Sequence, residues 1–119
     1  MAGFPPARRL HRPADFRRVY AQGRRFGNDC FTVNAVASAT GPRLGLSIAA
    51  RVLKRAVARN RVRRLVRESF RAHQQRLPPV DIVIGVRSVV AQTDNARLRA
   101  TLERLWDKLA AADWPPPQA

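Results

Sequence analysis

Arg59, Asn60, Arg61, Arg63 and Arg64 fill the stretch "RNRVRR" with only Val62 among them, and Arg67 and Arg71 follow at one-turn spacing. Like charges three and four residues apart on a helix repel, so this arrangement costs free energy until something negative meets it. The chemistry it suits is phosphate binding. A planar guanidinium clamps a phosphate through parallel N–H donors and stacks on nucleobases. Asn60 adds an acceptor to a field of pure donors. It fits a base edge or a ribose hydroxyl, or it orients the neighbouring arginines; the residues leave both readings open.

Other chemistries find little support. The acids Asp15, Asp29, Glu68, Asp81, Asp94, Glu103, Asp107 and Asp113 are scattered along the chain, whereas a protein-held metal nuclease centre needs clustered carboxylates. His11 and His73 form no general acid–base constellation with them. The lone Cys30 has neither a disulfide partner nor metal-ligand spacing around it. No catalytic residue and no protein-bound metal is therefore expected. Lysine plus arginine total 23 against 8 acids, a formal charge of +15, and the isoelectric point is near 12.0. A polyanion relieves the self-repulsion of such a domain, which ranks nucleic acid above an acidic membrane surface or acidic protein. Zinc-finger, homeodomain and basic-zipper spacings are missing, as are the glycine-aromatic motifs of common RNA-binding sheets. Residue chemistry alone reaches a structured polyanion, RNA foremost.

The elements that position these groups fit one domain of 119 residues. "RPADFRRVYAQG" predicts a short helix, with Pro13 at its first position, Phe16, Val19 and Tyr20 on one face and Gly23 as its stop. Strands are expected over "CFTVNAVAS" from Cys30 and over "LGLSIAA" from Leu44, with the turn "TGPR" between them. Residues 24–29 begin the first strand or form a short one of their own. The basic segment, 51–77, reads as a helix that ends before Pro78-Pro79. Its Ala58, Val62, Leu65, Val66 and Ser69 share the inward side, with Phe70 and His73 at the edge. Asn60, Arg63, Arg64, Arg67 and Arg71 share the outward side, with Arg59 and Arg61 at its borders. "VDIVIGV", 80–86, reads as a strand buried on both faces. Leu98, Leu102, Leu105, Trp106 and Leu109 predict a last helix capped by Asp94, and the tail "WPPPQA" is expected to be extended or frayed. No run approaches the ~18 apolar residues of a membrane span, and no apolar run precedes the N-terminal charges, so a cytoplasmic protein is expected.

"GLSIAARVLKRAVARNRVRRLVRESFR" resembles the signature of the bacterial ribonuclease P protein component. "RRLHRPADFRRVYAQGRRF", "DIVIGVR" and "LERLWDKL" extend the likeness from Arg9 to about Leu109. The resemblance implies a small α+β sandwich of order αβββαβα, its four-stranded mixed sheet carrying the basic helix in a left-handed crossover. It also implies a subunit of an endoribonuclease that removes the 5′ leader of precursor tRNA, in which RNA is catalytic and holds the Mg²⁺. By position, Arg59, Asn60, Arg61, Arg63, Arg64, Arg67 and Arg71 would meet the catalytic RNA, with Arg51, Lys54 and Arg55 extending that surface. Phe16, Tyr20 and Phe31 would line a cleft for the single-stranded leader, where stacking tolerates any base. Where many relatives carry two basic residues this chain has Ala50-Arg51, which removes one expected phosphate contact. The expected partners are the catalytic RNA and precursor tRNA, with no membrane and no obligate protein partner. A structural RNA-binding protein of ribosomal type is the competing class.

Overall fold

The computed structural model describes residues 8–115 of the chain. Helix α1, Pro13–Gln22, starts without a side-chain cap on Arg12. Pro13 makes this tolerable, because its fixed φ is already helical and it has no N–H to leave orphaned. Gly23 ends the helix with φ −78°, so left-handed freedom is not what the position requires. Room is: a Cβ there would lie 2.3 Å from the Val19 carbonyl oxygen.

Strands β1, Arg24–Gly27, and β2, Phe31–Ala37, form a hairpin. Its turn is held by Asn28, whose Oδ1 accepts from the backbone N–H groups of Cys30 and Phe31, both at 3.0 Å. β3, Arg43–Ser47, follows a cis Gly41–Pro42 peptide. The basic helix α2, Ala56–His73, then crosses to β4, Val80–Val86, which lies parallel to β3 and antiparallel to β2. The sheet order is β1-β2-β4-β3. Helix α3, Asn95–Ala111, closes the αβββαβα order, and Asp94 caps it as the sequence predicts, Oδ1 accepting from Arg97 N–H at 2.8 Å. A 3₁₀ turn at Ser88–Gln92, which shows no hydrophobic period, precedes it.

Strand alternation separates two cores. Phe31, Val33, Ala35, Leu44, Ile82 and Ile84 face α2 and α3, where they meet Val62, Leu65, Val66, Phe70, Leu98, Leu102, Leu105 and Trp106. At ~1.5–3 kcal/mol for each large side chain fully buried, this layer supplies most of the folding drive. Trp106 keeps its polar end satisfied by donating from Nε1 to Ser69 Oγ at 2.7 Å. The other face carries a smaller core of Leu10, Val19 and Val83, joined by Phe16 and Val36 beneath α1.

The sheet margins are guarded. On the β3 side, Leu10 N–H donates to the Leu44 carbonyl at 2.9 Å and Arg9 bridges Leu44. On the β1 side the strand has only four residues and opens with Arg24 and Arg25. The tail departs from its frayed expectation at Trp114. Its Nε1 donates to the Leu109 carbonyl at 2.9 Å and its ring lies 5.2 Å beneath the Arg24 guanidinium. The remainder of "WPPPQA" from residue 116, like residues 1–7, lies outside the described residues.

Candidate nucleic-acid interface

Helix α2 divides by its sequence period. Val62, Leu65, Val66 and Phe70 are buried against the sheet and α3, while Asn60, Arg64, Arg67 and Arg71 are exposed and Arg63 is half-buried. No acid stands in the first turn of α2. Arg63 Nη1 donates to Asn60 Oδ1 at 3.1 Å, so Asn60 here orients a neighbouring arginine. The guanidinium of Arg67 is held below its ordinary pKa, first by burial and then by the charges of Arg9 and Arg63. That crowding places Arg9, from the chain that guards β3, on the same cationic surface. In the sequence Arg9 opens the family likeness, but its place beside α2 does not show there, because its neighbours belong to a distant helix.

The triplet Arg59-Asn60-Arg61 is not one uniform face. Arg59 turns back to the loop before α2, donating through Nη1 to the carbonyls of Leu53 at 2.7 Å and Lys54 at 2.9 Å. Arg61 reaches the approach to α3, donating to the Thr93 carbonyl at 3.2 Å, Asn95 Oδ1 at 2.7 Å and the Val90 carbonyl at 3.0 Å. Their border positions on the helix let each serve an adjoining segment. Arg51, Lys54 and Arg55 are exposed in the loop that Arg59 shapes. Arg61→Ala is expected to lower the unfolding free energy by about 1–3 kcal/mol, since it strips donors from several carbonyls. Arg64→Ala should stay within about 0.5 kcal/mol of the parent in the same urea titration.

Phe16, Tyr20 and Phe31 do not come together. Phe16 packs over β3, where a Cβ on Gly45 would lie 2.7 Å from Phe16 Cζ. Tyr20 is 50% exposed on the same helix. Phe31 is fully buried on the opposite face of the sheet with Val33 and Ala35, so its ring cannot line a groove beside α1. The residues that do face that side are small. Gly27, Thr32, Gly85 and Ser47 form one rung across all four strands, two residues along β3 from Gly45. A Cβ on Gly85 would lie 2.3 Å from Thr32 Oγ1. The rung makes a low floor next to the aromatic side chains of α1.

Helix α1 is fixed above this floor by a buried acid. Asp81, fully buried within the apolar run of β4, accepts from Arg43 Nε at 2.8 Å, from Arg43 Nη2 at 2.7 Å and from Arg18 Nη2 on α1. Arg43 is held above its ordinary pKa by the Asp81 hydrogen bonds and the charges of Asp81 and Asp15, against a smaller opposing effect of burial. Asp15 also approaches Arg43 Nη2, at 4.0 Å. The acids that converge here are thus engaged by arginines. Among the described residues no three His, Cys, Asp or Glu side chains gather as metal ligands, and no described helix is long and apolar enough to cross a membrane.

Fold and site together define a small α+β protein that sets a cationic helix face on one side of a mixed sheet and a low, glycine-floored face on the other. Residues 4–110 match the family model described as Ribonuclease P. The chain is 46% identical over 110 residues to the ribonuclease P protein component of Thioalkalivibrio sulfidiphilus, covering 91% of each chain. It is 48% identical over 105 residues to that of Halorhodospira halophila, covering 87% of this chain and 86% of the other. Among solved structures, the RNase P protein of Staphylococcus aureus superposes with a TM-score of 0.79 at 28% identity, over 87% of this chain and 95% of that one. The RNase P protein of Thermotoga maritima superposes with a TM-score of 0.75 at 27% identity, over 84% and 96%. The chain belongs to the ribonuclease P protein component family.

Proposed function

We propose that this protein is the RNA-binding subunit of a ribonuclease P holoenzyme that removes the 5′ leader of precursor tRNA. The catalytic RNA meets the outward face of α2 through Arg63, Arg64, Arg67 and Arg71, with Arg9, Arg51, Lys54 and Arg55 beside it. Arg59 and Arg61 hold the flanking loops in place rather than leading the contact. The hydrolytic centre and its Mg²⁺ belong to the RNA and substrate; this chain supplies binding. One observation carries the reading: α2 buries Val62, Leu65, Val66 and Phe70 and keeps its outward arginines crowded, a repulsion that phosphate relieves. The single-stranded leader runs over the Gly27–Thr32–Gly85–Ser47 floor against Phe16 and Tyr20, where bases stack without strong sequence preference. The cell compartment in this reading is the cytoplasm.

Cleavage of precursor tRNA, with and without the RNA subunit, tests the proposal. The protein alone should not cleave, and it should stimulate the RNA strongly at low Mg²⁺. A protein that never stimulates would transfer weight to the ribosomal-type alternative. For the leader, Tyr20→Ala is the cleaner variant, since Phe16 is also part of the small core. It should weaken binding of precursor about tenfold and leave mature tRNA unchanged, as expected for loss of a stacking platform. Equal losses on both ligands would remove the leader from the α1 side.

A further inference from the structure

A depression of about 810 Å³ opens at the start of α2, lined by Val52, Val57, Ala58, Arg61 and Ala91 and rimmed by Lys54 and Arg55. Val57 projects into solvent, 72% exposed, at a position where a helix facing only water would carry a polar side chain. The volume lies within the ~300–1,000 Å³ usual for small-ligand pockets. A second depression, of about 510 Å³, lies between α2 and α3, and Arg61 walls both. The Arg61 guanidinium is held at its edges by the carbonyls of Val90 and Thr93 and by Asn95 Oδ1. N–H donors lie in the guanidinium plane, so a group held by its edges keeps its flat faces for stacking.

We propose that this depression is a subsite for one unstacked nucleotide of the catalytic RNA. The base lies against Val57 and Ala91 and stacks on Arg61, while its phosphate meets Lys54 and Arg55. Charge selects this occupant over an apolar peptide. Asp94 is the only acid lining the depression, and its Oδ1 is already taken by Arg97 N–H in capping α3. Splayed bases held on guanidinium planes are a common way for proteins to read single-stranded RNA. The subsite rests on the RNA-binding reading of α2, and it assigns Arg61 a stacking role that its internal hydrogen bonds make possible.

The test uses full-length protein assembled with the RNA subunit, read by equilibrium binding across a salt series. Val57→Gln keeps a good helix former at an exposed site, so folding should persist, and it should weaken binding about tenfold with the salt slope unchanged. Lys54→Ala should instead reduce the magnitude of that slope by about one. Cys30 is buried, so a Val57→Cys variant labelled with an aryl azide reports from the new position, and its cross-links should fall on one unpaired nucleotide of the RNA subunit. Parent-like affinity for Val57→Gln, or cross-links that fall on duplex, on precursor tRNA or on a protein, would overturn the subsite. Parent-like affinity for Arg63→Ala and Arg67→Ala as well would instead overturn the RNA-binding reading beneath it.

Discussion

Replacing Asp81 by asparagine is expected to lower the unfolding free energy by about 2–3 kcal/mol in a urea titration. Removing one partner of a buried ion pair typically costs ~3–5 kcal/mol, because the remaining charge is stranded. Here the side chains of Arg43 and Arg18 retain 22% and 32% exposure, so both can turn partly to water and the cost falls below that range. The damage should be local. Arg18 belongs to α1 and Arg43 to β3, so amide exchange should accelerate first in α1, while the face of α2 keeps its shape. In the functional reading proposed above, Asp81→Asn therefore weakens precursor binding more than binding of the RNA subunit. A uniform loss on both would mean that the ion cluster supports the whole domain and not the placement of α1.

Arg67→Gln is expected to separate stability from binding. Burial and the charges of Arg9 and Arg63 already disfavour the charged form of Arg67. Removing it should leave the free protein as stable as the parent or up to about 0.5 kcal/mol more stable, the scale of a relieved like-charge pair on a helix. The same substitution should weaken RNA binding and reduce the salt slope by about one. The double variant Arg63→Ala, Arg67→Ala should lose about two units of slope, one for each phosphate contact removed. A structural arginine would behave in the opposite way, destabilising the fold while leaving the slope intact, as expected of Arg61→Ala. Thermal melts and a salt series on the same samples distinguish the two.

Much of this molecule was readable from its residues. Pro13 and Gly23 bounded α1, the apolar run of β4 matched its strand, and the leucine spacing with Asp94 placed α3. Each of these signals is local, and each element obeys it. What escaped depends on partners far along the chain. Asp81 sat inside an apolar run with nothing nearby to explain it, and its arginines lie 38 and 63 residues away. The hydrogen bonds of Arg61 escaped for the same reason, since the Val90 and Thr93 carbonyls lie 29 and 32 residues away. Phe31 is different, since the necessary signal was present. In "FTVNAVA" the alternation sets Phe31 with Val33 and Ala35, away from Thr32, Asn34 and Val36. Carrying Phe31 into the cleft by position, as the family resemblance implies, overlooked that period.

The guarded sheet margins bear on what happens once the charge is neutralised. A free chain carrying +15 is kept from its own copies by long-range repulsion. A polyanion that neutralised this charge would cancel that protection. Leu10 and Arg9 against Leu44, and the short arginine-led β1, oppose strand recruitment by geometry and local charge, without relying on the net field. Resistance to edge-to-edge pairing thus rests on the shape of the sheet and would outlast the loss of net charge.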